Sequence, residues 1–170
     1  IRRPPRSTPK PSSAASDVYK RQINTIPNLG LGADVIVGFP GETDAAFENT
    51  RKLIEELPFS YLHVFSYSPR RGTEANDYKD DVPGNIKKKR NKILTQLIEE
   101  KGLEFRNKSL NTIATVLIEN QRDKNSGKLK GHTDNYIPIS LDGPDLLKNC
   151  LIPITLQNIS GNFVEGCVLS

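Results

Sequence analysis

The sequence predicts an α/β piece followed by a small all-β barrel of the OB type. Three observations carry that expectation. A short apolar, β-branched run at 34–39 ends at Pro40-Gly41 and leads through a helical pattern into a second strand-like run at 60–67, the order of a parallel βαβ unit. A long amphipathic pattern follows Pro83. Beyond Asn107 the chain changes to five short β runs separated by turn signals, as in a small closed barrel.

Residues 1–22 come first and stand apart. They hold Pro4, Pro5, Pro9 and Pro11, clusters of Ser and Thr, and only Val18 and Tyr19 as large apolar residues beyond Ile1. Such a composition cannot bury a core, so the segment reads as a disordered tail. Its SSAASDVYKRQ resembles the translated sequencing-adapter tails at the ends of reading frames assembled from environmental DNA, and it is set outside the fold. The tail carries six basic residues against Asp17, a net +5, which leaves the other 148 residues at −1. The overall charge of +4 therefore does not mark the folded part as nucleic-acid-binding. The absence of methionine, with Ile1 at the start, predicts a C-terminal fragment whose front end lies elsewhere.

The first strand, Asp-Val-Ile-Val-Gly-Phe at 34–39, is apolar enough to be buried on a parallel sheet. Thr43 can cap the helix that follows, with Asp44 at the favourable end of its dipole and Phe47, Ile54 and Leu57 at helical spacing. Pro58 ends it. Residues 60–67, Ser-Tyr-Leu-His-Val-Phe-Ser-Tyr, form the second strand and lead into the turn-rich SPRRGT at 68–73. Pro83 suits a first helical turn, after which Ile86, Ile93, Leu94, Leu97, Ile98 and Phe105 share a face. Lys87, Lys88, Lys89, Arg90 and Lys92 read as the solvated outer face. The β runs are 112–119, 128–132, 135–141, 151–158 and 162–169, with turns at Asn125-Ser126-Gly127, Asp134-Asn135, Asp142-Gly143-Pro144 and Ser160-Gly161. The expected division is 1–22 tail, 23–106 α/β piece with connecting helix, and 107–170 barrel.

Composition narrows the class. With 35% hydrophobic residues, 12 Gly, 12 Pro and 2 Cys in 170 residues, the chain is neither collagen, coiled coil nor disulfide scaffold. No stretch approaches the ~20 apolar residues of a membrane span, and no apolar signal region lies near the start. The expectation is a soluble, cytoplasmic protein. Cys150 and Cys167 have no CxxC context and read as core thiols of the barrel, so no metal site is assigned. No Ser/His/Asp triad can be argued from His63 and His132. His63, in mid-strand, reads as a core or barrel-lining residue, and catalytic residues stay unassigned.

GFPGET at 38–43 sets two glycines and a proline where a strand gives way to a helix, so backbone can approach a ligand closely. It lacks the Lys-Ser/Thr of a phosphate loop and the third Gly of the dinucleotide fingerprint. A KH loop lies between helices, whereas a strand precedes this one.

GADVIVGFPGET at 32–43, LHVFSYSPRRGTEA at 62–75 and GHTDNYIPI at 131–139 together resemble the radical-SAM tRNA methylthiotransferases, nearest to the threonylcarbamoyladenosine branch called MtaB. The resemblance covers residues 26–170. It implies that the α/β piece is the last part of a radical-SAM partial TIM-type barrel and that the β-barrel is a TRAM domain. It implies an enzyme that transfers a methylthio group to carbon two of threonylcarbamoyladenosine beside the anticodon, using S-adenosylmethionine and two 4Fe-4S clusters. The CxxxCxxC triplet that holds the radical-SAM cluster is absent from this sequence, so the fragment itself is expected to bind no cofactor and to be inactive. The resemblance further implies that Gly38, Phe39, Pro40, Gly41 and Glu42 line the cofactor pocket and that Tyr67, Ser68 and Arg70 reach the mouth where the nucleotide enters. The implied partner is the tRNA anticodon stem-loop, met by a monomer. The sulfur donor is unassigned.

Residues 107–170 carry six basic and six acidic residues, so bulk charge cannot supply RNA affinity there. Lys124, Lys128, Lys130 and His132 cluster around one hairpin, and Tyr136 can stack on a base, which suits single-stranded RNA. The alternative to an enzyme part is a self-sufficient OB-type RNA-binding module without catalysis.

Overall fold

The computed structural model describes residues 13–79 and 81–169, with side chains from Val18 onward. The order of the larger elements is α1 (Ser13–Thr25), β1 (Leu31–Val37), α2 (Asp44–Glu56), β2 (Phe59–Ser66), α3 (Gly84–Ser109), β3 (Ile113–Ile118), β4 (Leu129–Thr133), β5 (Pro138–Leu141), β6 (Leu151–Ser160) and β7 (Phe163–Val168). The chain is mixed α/β and divides into two units, Ile1–Pro27 with Leu31–Lys101, and Asn28–Gly30 with Gly102–Ser170.

In the first unit β1 and β2 pair in parallel, joined through α2. Leu31 and Val37 of β1 meet Phe47, Ile54 and Leu57 from α2 and its end, together with Leu94 and Ile98 of α3. The register sets Asp34 opposite His63 and Ile36 opposite Phe65 on the other face of the sheet, where all four are exposed. His63 is therefore not a core residue. Strand parity explains the correction: its neighbours Leu62 and Val64 take the core side.

Two further expectations change here. Ser13–Gln22, read as part of a coreless tail, lies in α1, where the Tyr19 ring comes within 6.4 Å of the Phe59 ring and Ile23, one residue beyond, packs on the core. Residues 1–12 of that tail lie outside the described residues. Arg90, read as part of the solvated face, is 4% exposed. It falls four residues after Ile86 and four before Leu94, so helical geometry carries it onto the apolar stripe.

In the second unit five strands close into a barrel in the order β3-β4-β5-β7-β6. Alternate residues fill it: Val116 and Ile118, Leu129, Ile139 and Leu141, Ile154 and Leu156, and Val164 are buried, with Phe105 and Leu110 packed against them. Cys150 and Cys167 are both exposed free thiols, not core thiols. Val164 points inward and a Cβ on Gly166 would strike Ile154 Cδ1 at 2.3 Å, so Cys167 between Gly166 and Val168 faces out. Cys150 ends the turn before β6.

Candidate functional site

The GFPGET loop leaves the carboxyl end of β1, the end at which parallel sheets bind ligands. Two glycines make its path possible. Gly38 has φ of 73° and Gly41 82°, a region costly for residues with a Cβ. A Cβ on Gly38 would also meet Lys87 Cγ at 2.3 Å, whereas at Gly41 nothing lies within 4 Å. The loop's amides are then spent inwardly: Gly38 N–H donates to Glu42 Oε2 at 2.7 Å and Glu42 N–H to the Phe39 carbonyl at 2.9 Å. Thr43 Oγ1 accepts from Ala46 N–H at 3.1 Å, the helix cap the sequence anticipated.

Arg90 of α3 locks this loop. One guanidinium nitrogen donates to Glu42 Oε2 at 2.5 Å and to the Glu42 carbonyl at 3.1 Å, and the other donates to Asp44 Oδ1 at 2.7 Å. The guanidinium carbon stands 5.3 Å from the centre of the Phe47 ring. The Glu42 side chain is only 13% exposed, so this ion pair works in a poor solvent. Glu42 therefore holds the loop's shape, and a ligand would meet the backbone at Phe39–Gly41. A shallow cavity of about 530 Å³ lies beside the clamp, lined by Gly41–Asp44, Asp81–Pro83, Ile86 and Arg90.

Phe39 projects outward at 41% exposure and belongs to an aromatic group with Tyr67, 5.2 Å away, and Tyr78, 6.1 Å away, both edge-on. Tyr67 Oη donates to the Ala75 carbonyl at 3.0 Å, and Lys87 Nζ lies 5.2 Å from the Tyr67 ring centre while pairing with Asp81 at 2.7 Å. Ser68 and Arg70 are exposed in the loop after β2, where the Arg70 carbonyl accepts from Thr73 Oγ1 at 2.8 Å. Among the described residues neither Arg70 nor Arg71 takes an ion pair.

The barrel residues singled out for RNA are arranged differently. Lys128 pairs with Glu165 at 3.0 Å and Asp142 at 3.6 Å, and Lys130 with Glu119 at 2.8 Å. The lysines' pKa values rise for that reason, the Glu165 and Glu119 hydrogen bonds contributing most. His132 Nδ1 lies 3.3 Å from the other Glu119 oxygen. Lys124 is exposed on the β3–β4 loop, and Tyr136 is exposed with φ of 65° at the β4–β5 turn. Arg122 pins that loop by reaching Asp145, the Gly127 carbonyl at 2.9 Å and the Gly143 carbonyl at 2.7 Å. Sequence reasoning missed Arg90, Lys87 and Tyr78. Only Arg90 left a signal, its spacing from Ile86 and Leu94.

No family model matches the chain. Curated proteins do. A tRNA-2-methylthio-N(6)-dimethylallyladenosine synthase from Pseudomonas syringae pv. syringae is 39% identical over 135 residues, 76% of this chain and 30% of the relative. The synthase of that name from Stutzerimonas stutzeri is 35% identical over 158 residues, 89% of this chain and 36% of the relative. One from Yersinia pestis is 36% identical over 144 residues. The chain is similar to these synthases over the matched stretches. It spans about a third of the length of the curated relatives it matches. The relatives' names carry dimethylallyladenosine where the motif resemblance pointed to threonylcarbamoyladenosine. Among the described residues no helix is long and apolar enough to cross a membrane, and no group of three His, Cys, Asp or Glu could hold a metal ion.

Proposed function

We propose that the chain is the C-terminal part of a tRNA methylthiotransferase that modifies carbon two of an adenosine beside the anticodon. The observation that carries the reading is the 35% identity over 89% of the chain to a tRNA-modifying synthase. In this reading residues 23–106 are the end of the radical-SAM domain with its connecting helix, 107–170 are the TRAM domain, and 1–22 are a foreign tail. The whole enzyme works in the cytoplasm as a monomer. The exposed Asp34, Ile36, His63 and Phe65 support it, since an open face on a two-stranded parallel sheet suits one section of a larger barrel.

S-adenosylmethionine, when bound, supplies the radical chemistry of the family. The residues present fit it in part. Gly41 leaves open space at the carboxyl end of β1 and Pro40 offers an apolar edge beside it, so these two would hold the cofactor, while the Phe39 ring turns outward to Tyr67 and Tyr78. Gly38 and Glu42 are engaged with each other and with Arg90, and they shape the loop instead. No described residue is assigned to either iron–sulfur cluster. Tyr67, Ser68 and Arg70 face the nucleotide, and Lys124, His132 and Tyr136 give the barrel its RNA contact, with Lys128 and Lys130 joining only by leaving their carboxylates.

The nucleoside is threonylcarbamoyladenosine on the motif resemblance and dimethylallyladenosine on the relatives' names. Binding of the 170-residue chain to anticodon stem-loops tests the reading. Stem-loops carrying threonylcarbamoyladenosine, dimethylallyladenosine or plain adenosine are compared with an unrelated RNA hairpin of equal length. Tighter binding of the stem-loops is expected, and the tighter modified form identifies the branch. Equal affinity for the unrelated hairpin would sink the proposal in favour of a general RNA-binding module.

A further inference from the structure

We propose that Phe39 and Tyr78 form a stacking shelf for one unpaired RNA base, with Arg70 and Arg71 holding the adjacent phosphates. The inference rests on the tRNA reading above and adds the residues that grip the strand. Two aromatic rings stand 41% and 44% exposed at the carboxyl end of a parallel sheet, 6.1 Å apart and steeply inclined to each other at 81°. Left to water, such rings are costly, and they recur where bases stack. The shelf is braced from behind: Tyr67 meets Phe39 edge-on and is itself fixed to the Ala75 carbonyl, and Lys87 lies over its ring. A rigid aromatic surface loses little entropy when a base settles on it.

Charge selects the occupant. Residues 68–73 hold two arginines and no acid, and neither guanidinium is taken by a described carboxylate. Among the described residues the nearby acids have other partners, Glu74 accepting from Tyr78 Oη at 3.3 Å and Asp77 from Asn76 Nδ2 at 3.5 Å. An apolar corner, one ring offering its face and the other its edge, with loose guanidinium groups beside it suits a base and its phosphates in a single strand, because a duplex keeps its base faces stacked.

The test uses the 170-residue chain and a single-stranded RNA of about seven nucleotides carrying one 2-aminopurine, whose fluorescence falls on stacking. The expected result is quenching by the wild-type chain, lost in Phe39→Ala/Tyr78→Ala with binding weakened at least about fivefold. Phe39→Tyr, which keeps a ring, should retain it. Arg70→Ala/Arg71→Ala should lower the slope of log affinity against log salt by about 1.4, since each single-strand phosphate contributes about 0.7. Undiminished quenching in the ring variant, with its melting profile unchanged, overturns the shelf. Displacement of the RNA by saturating S-adenosylmethionine overturns it too, by giving the rings to the cofactor's adenine. If the wild-type chain prefers anticodon stem-loops while the ring variant quenches normally, only the shelf fails. If it binds every hairpin equally yet the ring variant loses quenching, the shelf stands and the tRNA reading fails.

Discussion

The GFPGET loop and the barrel hairpin use the same chemistry, a cation against carboxylates, in different solvents. At the loop Arg90 is buried, its contact with Glu42 is short, and the pair joins residues 48 positions apart. At the hairpin Lys128 and Lys130 meet three carboxylates along strand edges, with every partner partly in water. The first arrangement fixes a backbone, because the Arg90 and Glu42 side chains keep only 5% and 13% of their surface in water, while Asp44 stands in solvent. The second neutralises a surface and is exchanged at little cost. A basic residue near a proposed RNA site is thus informative only after its partners are counted, and among the described residues Arg70 and Arg71 of the loop after β2 take no ion pair.

The comparison breaks most visibly at Arg90. Replacing it with Ala leaves the largely buried Glu42 with only the Gly38 amide, and breaking a buried pair in this way typically costs about 3–5 kcal/mol. Urea unfolding followed by circular dichroism, with hydrogen exchange on the amides of β1, should show the first unit destabilised by that order. A loss below ~1 kcal/mol would mean that the clamp is as weak as a surface pair. Next in size is the cap on the same loop. Thr43→Ala should cost about 1 kcal/mol and Thr43→Ser almost nothing, in the same unfolding experiment. Smaller still, Lys130→Ala should leave the melting temperature of the barrel unchanged at low and at high salt. A drop that vanishes in salt would show that the hairpin pairs do hold the barrel together.

Much of the fold was legible because hydrophobic period and turn chemistry are local. The apolar run from Asp34, the cap at Thr43 and the five β runs after Asn107 each declare themselves within a few residues, although the first strand spans Leu31–Val37 and leaves Gly38 and Phe39, expected within it, to the loop. What failed depended on facing. Arg90 sits among four lysines, and the like-charged run hid its i±4 relation to Ile86 and Leu94. Cys167 and His63 were judged by residue type, although strand parity with Val164 and with Leu62 and Val64 already placed them outward. The hairpin lysines were legible as a cluster. Their neutralisation was not, since Glu119, Asp142 and Glu165 reach them only through the pairing of β3 with β4 and the closure of β4, β5 and β7 into one barrel.

The finest distinction lies between two carboxylates of the barrel loops. Asp123 is held below its ordinary 3.8 chiefly by the Ser126 amide at 2.7 Å, then by the Ser126 hydroxyl at 2.8 Å, with the Asn125 amide adding to them. Asp145 is held below the same value by hydrogen bonds from Lys148 first and Arg122 second. Both shifts have one sign. A depressed carboxyl contributes stability that is fully present above 3.8 and is lost as pH falls through its lower folded value. Asp123→Ala should therefore lower the melting temperature at neutral pH, and that difference should shrink in acid below 3.8. Salt separates the two groups. Ions screen the cations at Asp145, whereas the main donors at Asp123 are neutral and stay in place. In carbon-detected NMR titrations at low salt and at about 1 M, where the Debye length is about 3 Å, Asp145 should move up toward 3.8 while Asp123 stays nearly fixed. Equal upward movement of both would show that Lys130, the one cation acting on Asp123, outweighs the loop amides and that the hairpin's charges govern its shape after all.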